Sequence, residues 1–263
     1  MTIHQPKDRG ALRLKLGIGY FRLKRHMLWR FGGIKFAKPA ADKLGHEHFC
    51  HQTPLLRHLR NIDISLEQNK ITNLHLALEK INGVILRPGE VFSFWKLIGK
   101  PTRRKGYLEG VILQRGEFSS GLGGGLCHLS GFIYWMTLHT PLTVVERHRH
   151  GYDTTPDKFY GSDATCFYNY KDLVIKNNTD RPFQLQMEIG EDHLAGAWMS
   201  DAPPVCTYEI YEKEASVRKE EWGGYTRNNI VHRRVYDFDG LIVGDEFVAE
   251  NNAIMMYEPE DLS

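Results

Sequence analysis

Apolar positions recur along this chain with two different periods. Leu66, Ile71, Leu74, Leu78 and Ile81 return every three or four residues, which predicts a helix over 63–81 closed by Asn82-Gly83. Leu126, Leu129, Ile133 and Met136 do the same and predict a second helix, entered from a glycine-rich run and ended before Pro141. Between the two, Val84-Ile85-Leu86, Val91-Phe92-Ser93-Phe94 and Val111-Ile112-Leu113 read as short strands, the first two around the turn Arg87-Pro88-Gly89-Glu90. After Pro141, residues 142–150 read as a strand. Its alternation puts Glu146, His148 and His150 on one face and Val145, Arg147 and Arg149 on the other. Residues 151–160 read as a loop. Further strands follow at 163–168, 173–175, 183–189, 205–211 and 231–238, with Asp239-Gly240 as a hairpin turn before a last strand from Leu241 onward. The charged stretch 213–221 reads as an exposed excursion. Short connections after residue 142 favour antiparallel pairing over crossovers. The expected fold class is therefore α+β: a glycine loop and cysteine helix packed on a mainly antiparallel sheet, with a β-rich C-terminal part. A papain- or transglutaminase-like arrangement is one form of that class.

Charge divides the chain further. Arg13, Lys15, Arg22, Lys24, Arg25, Arg30, Lys35 and Lys38 surround Leu16, Tyr20, Leu23, Met27, Phe31 and Ile34, which lie near helical spacing. Such a segment can rest on an anionic membrane surface through residues 12–38. It can also pack its apolar stripe on the main domain and leave its charges in water, and this second arrangement is the one expected. The organisation that follows is a basic segment at 1–45, a core domain at 46–200 and a β-rich extension at 201–263 packed on the core. The whole molecule carries only +2, which argues against steering toward nucleic acid. Its four cysteines form no C-x-x-C pair, which argues against a disulfide scaffold or a zinc ribbon. No apolar run is long enough to span a membrane, and none reads as a secretory signal. The expected location is cytoplasmic, or peripheral at the inner face of the membrane where the basic segment reaches it.

Candidate chemistry centres on 121–131, where glycines at 121 and 123–125 lead into Cys127. A cysteine in the first helical turn meets unpaired backbone N–H groups and the positive end of the helix dipole, and both favour the thiolate. Ser130, Gly131 and Tyr134 share its side of the helix, and Gly131 permits close packing. The plain alternative is a structural glycine turn with an inert core cysteine. A thiol nucleophile needs a base, and the base needs an orienting partner. His150 is the expected base, His148 the competing one, and Asp163 or Glu146 the orienting carboxylate. Glu146, His148 and His150 on one strand face are alternatively a metal-ligand set. A second histidine cluster, His46 to His51 with His58 beyond it, has no regular ligand spacing and reads as hydrogen-bonded histidines near a helix start. No cofactor motif is found.

The specific signal is the wording of the whole block. Asn82-Gly83-Val84-Ile85-Leu86-Arg87-Pro88-Gly89-Glu90-Val91-Phe92-Ser93-Phe94-Trp95 is followed by Gly106-Tyr107, Gly123-Gly124-Gly125-Leu126-Cys127 and Glu146-Arg147-His148-Arg149-His150. Then come Gly161-Ser162-Asp163-Ala164-Thr165 and Tyr170-Lys171-Asp172-Leu173. This order strongly resembles the VanW family, named from the accessory protein of vancomycin B-type resistance clusters, and the likeness runs from about 46 to 178. Two positions depart from the family pattern: His128 where glutamine is common, and Gly131 where asparagine is. The resemblance implies a link to antibiotic resistance and to cell-wall metabolism, where the drug target is the D-alanyl-D-alanine end of peptidoglycan precursors. Residues and resemblance together lead to an expected cysteine-dependent acyl transferase or amidohydrolase on a peptidoglycan-related peptide. Gly124, Gly125, His128 and Ser130 are its expected substrate or oxyanion contacts, with Arg147 or the Arg103-Arg104 loop holding a substrate carboxylate. A non-catalytic module that binds cell-wall precursors is the alternative.

Overall fold

The computed structural model describes residues 10–56, 63–114, 116–154 and 161–259. Helix α1 (Ala11–Phe31) is followed by β1 (Lys38–Pro39), β2 (His46–Pro54), α2 (Ile64–Ile81), β3 (Val84–Leu86), β4 (Val91–Ser93) and α3 (Phe94–Ile98). A 3-10 turn at Arg103–Lys105 leads into β5 (Glu109–Gln114) and β6 (Glu117–Leu122), then α4 (Leu126–Leu138), β7 (Thr143–Glu146), β8 (Tyr152–Asp153) and β9 (Val174–Lys176). The remaining strands are β10 (Phe183–Ile189), β11 (His193–Ser200), β12 (Thr207–Lys219), β13 (Tyr225–Tyr236) and β14 (Ile242–Met255).

The main sheet has the order β1-β3-β10-β11-β2, and every neighbouring pair is antiparallel. α2 and α4 pack against it. Leu74, Ala77, Leu78 and Ile81 of α2 and Leu129, Ile133 and Met136 of α4 join Leu86, Leu185 and Trp198 of the sheet in one core. α2 starts where its sequence allows: the Asp63 carboxylate accepts from Ser65 N at 2.9 Å and caps the free first turn. Its far end is tied to the sheet, because the Asn82 side chain accepts from Met187 N at 2.9 Å. On β11, Gly196 makes room for α4; a Cβ there would meet the Phe132 ring at 2.9 Å. The class is thus α+β with mainly antiparallel sheets and a β-rich C-terminal part, in which β12, β13 and β14 form a long antiparallel sheet. β8 joins that sheet through a parallel pairing with β14, which brings the C-terminal strands to the segment after β7.

Several local expectations are corrected. The strand expected over 142–150 ends at Glu146, and residues 147–150 are irregular. The stretch 163–168 is also irregular, with the isolated bridge Phe167↔Lys171 as its one strand-like pairing. Residues 46–51 belong to β2, the edge strand of the main sheet, rather than to a helix start. The charged stretch 213–219 is the second half of β12. His58 and most of the 151–160 loop lie outside the described residues. Among those described, no helix is long and apolar enough to cross a membrane.

α1 is the largest departure, because its expected faces are exchanged. Its arginines dock and its apolar stripe faces water. Arg22 Nε donates to Tyr168 O at 2.7 Å, Arg25 Nε to Asn169 O at 3.1 Å, and the Arg25 guanidinium clasps Glu146 with two contacts of 2.6 Å. Leu16, Tyr20, Leu23, Met27 and Phe31 are between 51 and 72% exposed. Two-pronged charge-assisted bonds to a half-buried carboxylate stabilise the docking more than neutral contacts of the same number do.

Candidate active site

The entrance to α4 is built by backbone that tolerates no side chains. Gly125 caps the helix at φ 95° in the left-handed region, and a Cβ on Gly124 would lie 2.1 Å from the Gly110 carbonyl carbon. Asn73 of α2 holds this crossing: its Nδ2 donates to Gly124 O at 2.9 Å and to Leu108 O at 3.0 Å, while its Oδ1 accepts from Leu108 N at 2.9 Å. Asn73 is fully buried and was missed in the sequence, since a lone asparagine inside a helical period carries no local signal.

Cys127 is the second residue of α4 and is half-buried. Its Sγ accepts from Cys166 N at 3.5 Å and lies 3.6 Å from Thr165 Oγ1 and 3.7 Å from Cys166 Sγ. The hydrogen bond from the Cys166 side chain holds the Cys127 thiol well below its ordinary range. Burial opposes this, and the adjacent His150 adds to it through a hydrogen bond and its charge. Cys166 shifts the other way, raised by burial and by its neighbour.

Asp163 orients His150. One carboxylate oxygen accepts from His150 N at 2.9 Å and pairs with His150 Nδ1 at 2.7 Å, which leaves the imidazole's other side for the thiol. Burial works against the charged ring, but Asp163 and Cys127 outweigh it and raise His150 to about 9. Burial likewise opposes the Asp163 charge, yet His150 and Arg147 hold that carboxyl down to about 2. The arrangement sets a thiol shifted toward its thiolate beside an imidazole shifted toward its charged form, itself backed by a carboxylate.

Arg147 is committed to this scaffold. It donates from Nε to Asp163 O at 2.7 Å, from Nη2 to Asp163 Oδ1 at 2.9 Å and to Gly161 O at 3.1 Å, and from Nη1 to Asn251 Oδ1 at 2.5 Å. A free substrate-binding guanidinium was expected there; the structure uses it to hold the orienting carboxylate. Asn251, from β14, is a second residue with no local signal in the sequence, being about a hundred positions away from its partner.

Other expected site residues are placed elsewhere. His148 pairs through Nε2 with Glu146 at 2.9 Å, and Glu146 also holds Arg25 and accepts from Asp172 N at 3.1 Å. Neither competes for the role beside Cys127, because the chain leaves the strand at Glu146 and the alternation expected to align the three side chains is broken. Glu146, His148 and His150 therefore do not converge as ligands, and among the described residues no three His, Cys, Asp or Glu side chains are grouped to hold a metal. Ser130 Oγ donates to Ala164 O at 2.6 Å and pins α4 to the Asp163 segment instead of facing a substrate. That approach does not depend on a glycine at 131, where a Cβ would meet Ala164 N at an ordinary 3.4 Å. The amides of Gly124 and Gly125 donate to Gly121 O and Val111 O at 3.0 and 3.1 Å, so neither is an oxyanion donor. His128 follows Cys127 in the first turn of α4 and is half-buried. Arg103 pairs with Glu109 at 2.5 Å, away from the cysteine.

A surface cavity of about 440 Å³ is lined by Arg147, His148, Arg149, Gly151, Tyr152 and Lys171 among others, the chain neighbours of His150 but not His150 itself. Arg149 and Lys171 have no acidic partner among the described residues. Lys171 is lowered by burial, with the Cys127 charge raising it and Arg149 lowering it further. Lys171 thus stands within electrostatic reach of Cys127, and Arg149 within reach of Lys171.

Comparison with known proteins bears on this block. A family model described as "VanW like protein" matches residues 69–199, which hold α2, the glycine loop, α4 and the Cys127, His150 and Asp163 positions. The Vancomycin B-type resistance protein VanW of Enterococcus faecalis (strain ATCC 700802 / V583) is 29% identical over 233 residues, covering 87% of this chain and 85% of that relative. The protein YoaR of Bacillus subtilis (strain 168) is 30% identical over 122 residues, covering 46% of this chain and 40% of that relative. No solved structure matches the chain.

Proposed function

Because the chain belongs to the VanW family, we propose that it acts in cell-wall metabolism linked to vancomycin resistance, as a cysteine-dependent acyl transferase or amidohydrolase on a peptidoglycan-related peptide. The observation that carries the chemistry is the Cys127–His150–Asp163 line at the start of α4. The link to glycopeptide resistance comes from the printed name of the Enterococcus faecalis relative.

The steps follow from the charges. The Cys127 thiolate attacks the carbonyl carbon of the substrate amide and forms a C–S bond. The N–H of Cys127 in the first turn of α4 and the positive helix end stabilise the oxyanion. The His150 imidazolium gives its proton to the departing nitrogen as the C–N bond breaks, leaving a thioester on Cys127. Neutral His150 then takes a proton from water, for hydrolysis, or from an acceptor amine, for transfer, and the second attack releases the thiol. Asp163 keeps Nδ1 protonated and never carries the proton itself. Arg149 and Lys171 line the adjoining cavity and hold a substrate carboxylate, the role first assigned to Arg147.

The test uses synthetic peptides ending in D-alanyl-D-alanine and soluble muropeptides, followed by intact mass spectrometry of the protein and chromatography of the products. The expected result is a product formed by the native chain and an acyl adduct on Cys127, both absent from Cys127→Ser. Turnover that survives Cys127→Ser in a folded protein refutes the mechanism.

A further inference from the structure

α1 presents the surface a core-packed helix would hide. Ordinary surface helices bury their apolar side and leave charges in water. Here Arg22 and Arg25 are fixed to Tyr168 O, Asn169 O and Glu146, and Trp29 lies half-buried beside the Lys96 ammonium at 5.4 Å. The opposite face carries Leu12, Leu16, Tyr20, Leu23, Met27 and Phe31, all exposed. Arg13, Lys24 and Arg30 border that face, are exposed, and have no acidic partner among the described residues. The helix contains no acidic residue along its 21 positions.

We propose that this outward face of α1 docks on an anionic phospholipid surface, with its apolar side chains at the acyl boundary and its basic residues among the headgroups. A contiguous apolar face of this size is rare on a protein that stays free in water. The purely basic border selects among its occupants: each Lys or Arg close to a negatively charged leaflet adds attraction, whereas a second copy of the same face would bring like charges together. A helix lying in the interface plane needs a large apolar side, flanking cations and aromatic residues, and Tyr20, Phe21 and Phe31 supply the last.

The geometry has a consequence for the site. α1 is about 10 Å across, and its docked side touches Glu146, which pairs with His148 at the cavity wall. The cavity wall therefore stands one helix diameter, about 10 Å, plus the Glu146–His148 pair away from the acyl boundary. The docking itself requires no chemistry at Cys127, so it stands or falls separately from the enzymatic reading.

The experiment is co-sedimentation of the full chain with phosphatidylcholine vesicles, with and without phosphatidylglycerol, at low and at high salt. The expected result is binding to the anionic vesicles only, weakened by salt. Leu16→Gln combined with Leu23→Gln abolishes it, and Lys24→Glu combined with Arg30→Glu weakens it about tenfold or more, while thermal unfolding shows both proteins still folded. Equal binding to neutral vesicles, no binding at all, or binding untouched by either pair of substitutions overturns the proposal. Analytical ultracentrifugation covers the competing occupant: a native dimer that Leu16→Gln with Leu23→Gln turns into a monomer, without vesicle binding, assigns the face to a second copy and also overturns it.

Discussion

Removing the imidazole next to Cys127 tests the site most directly. In His150→Ala the thiolate loses its ion-pair partner but keeps the hydrogen bond from Cys166 N. Two unit charges in contact attract by about 4 kcal/mol at the effective dielectric near a protein surface. Water entering the vacated space and the remaining donors offset part of this, and the rest raises the thiol. The thiolate fraction therefore falls on the acid limb, partly offset by the higher nucleophilicity of a more basic thiolate. Alkylation of Cys127 by iodoacetamide, followed site by site by mass spectrometry, has its rate profile moved to higher pH in the variant, with reaction about tenfold slower on the acid limb shared by both profiles. Superimposable profiles, or a native profile with its midpoint near ~8.5 like an ordinary thiol, refute the coupled pair.

Gly124→Ala leaves little or no folded protein, because its Cβ would lie 2.1 Å from Gly110 backbone; Gly131→Ala, whose Cβ finds an ordinary 3.4 Å contact with Ala164 N inside α4, leaves stability unchanged or raises it by up to about 1 kcal/mol in denaturant unfolding. Asp163 and Glu146 are both held down to about 2, so their folded values lie below their unfolded ones. Their stabilisation is present above about pH 4 and is lost as pH falls from 4 toward 2, and thermal scans across that range show a steep drop that Asp163→Asn flattens. Asp172 has the opposite sign: burial, against bonds from Ser93 Oγ at 2.6 Å and Trp95 N at 3.0 Å, raises it to about 6. Its contribution is full below about pH 4 and is lost as pH rises to 6, so Asp172→Asn, which can keep those bonds, gains about 1–2 kcal/mol at pH 8 and nothing at pH 4.

Local period made the helices legible. The 63–81 helix appears with Asp63 as its cap, and Leu129, Ile133 and Met136 are buried on α4 as their spacing requires. The order of cysteine, histidine and aspartate also survived into space. What failed was the extension of a regular pattern past its end. The 142–150 strand was read as one ruler, but β7 stops at Glu146 and the chain turns, so His150 reaches Cys127 while His148 stays with Glu146. Partnerships between remote elements left no trace in the sequence: Asn73 under the glycine loop, Asn251 behind Arg147, and Arg25 on Glu146 each contribute one polar group whose meaning exists only in the fold. α1 shows a related limit. The spacing of Leu16, Tyr20, Leu23 and Met27 defines a stripe, but the face that docks was decided by Glu146 and two backbone carbonyls that lie more than a hundred residues further along.

The two central cysteines separate an inert thiol from a poised one within a single neighbourhood. Cys166 is buried in the apolar core, and burial raises its pKa as expected for a structural cysteine. Cys127 lies 3.7 Å away and is pushed in the opposite direction. Burial raises both thiols, so packing alone does not account for opposite shifts in adjacent sulfurs. The difference is directional: Cys127 receives the Cys166 side chain and amide and has His150 at its side, and His150 is fixed by a carboxylate that Arg147 in turn holds through Nη2, with Nε on the Asp163 backbone carbonyl. A purely structural cysteine has no use for a histidine kept charged at neutral pH, and burying that charge is costly unless it is paired. The fold sustains this expense at one point, beside a cavity that carries the unpaired cations Arg149 and Lys171. Under the proposed function, a ligand that brings its own negative charge and a reactive carbonyl gives every one of these groups a role.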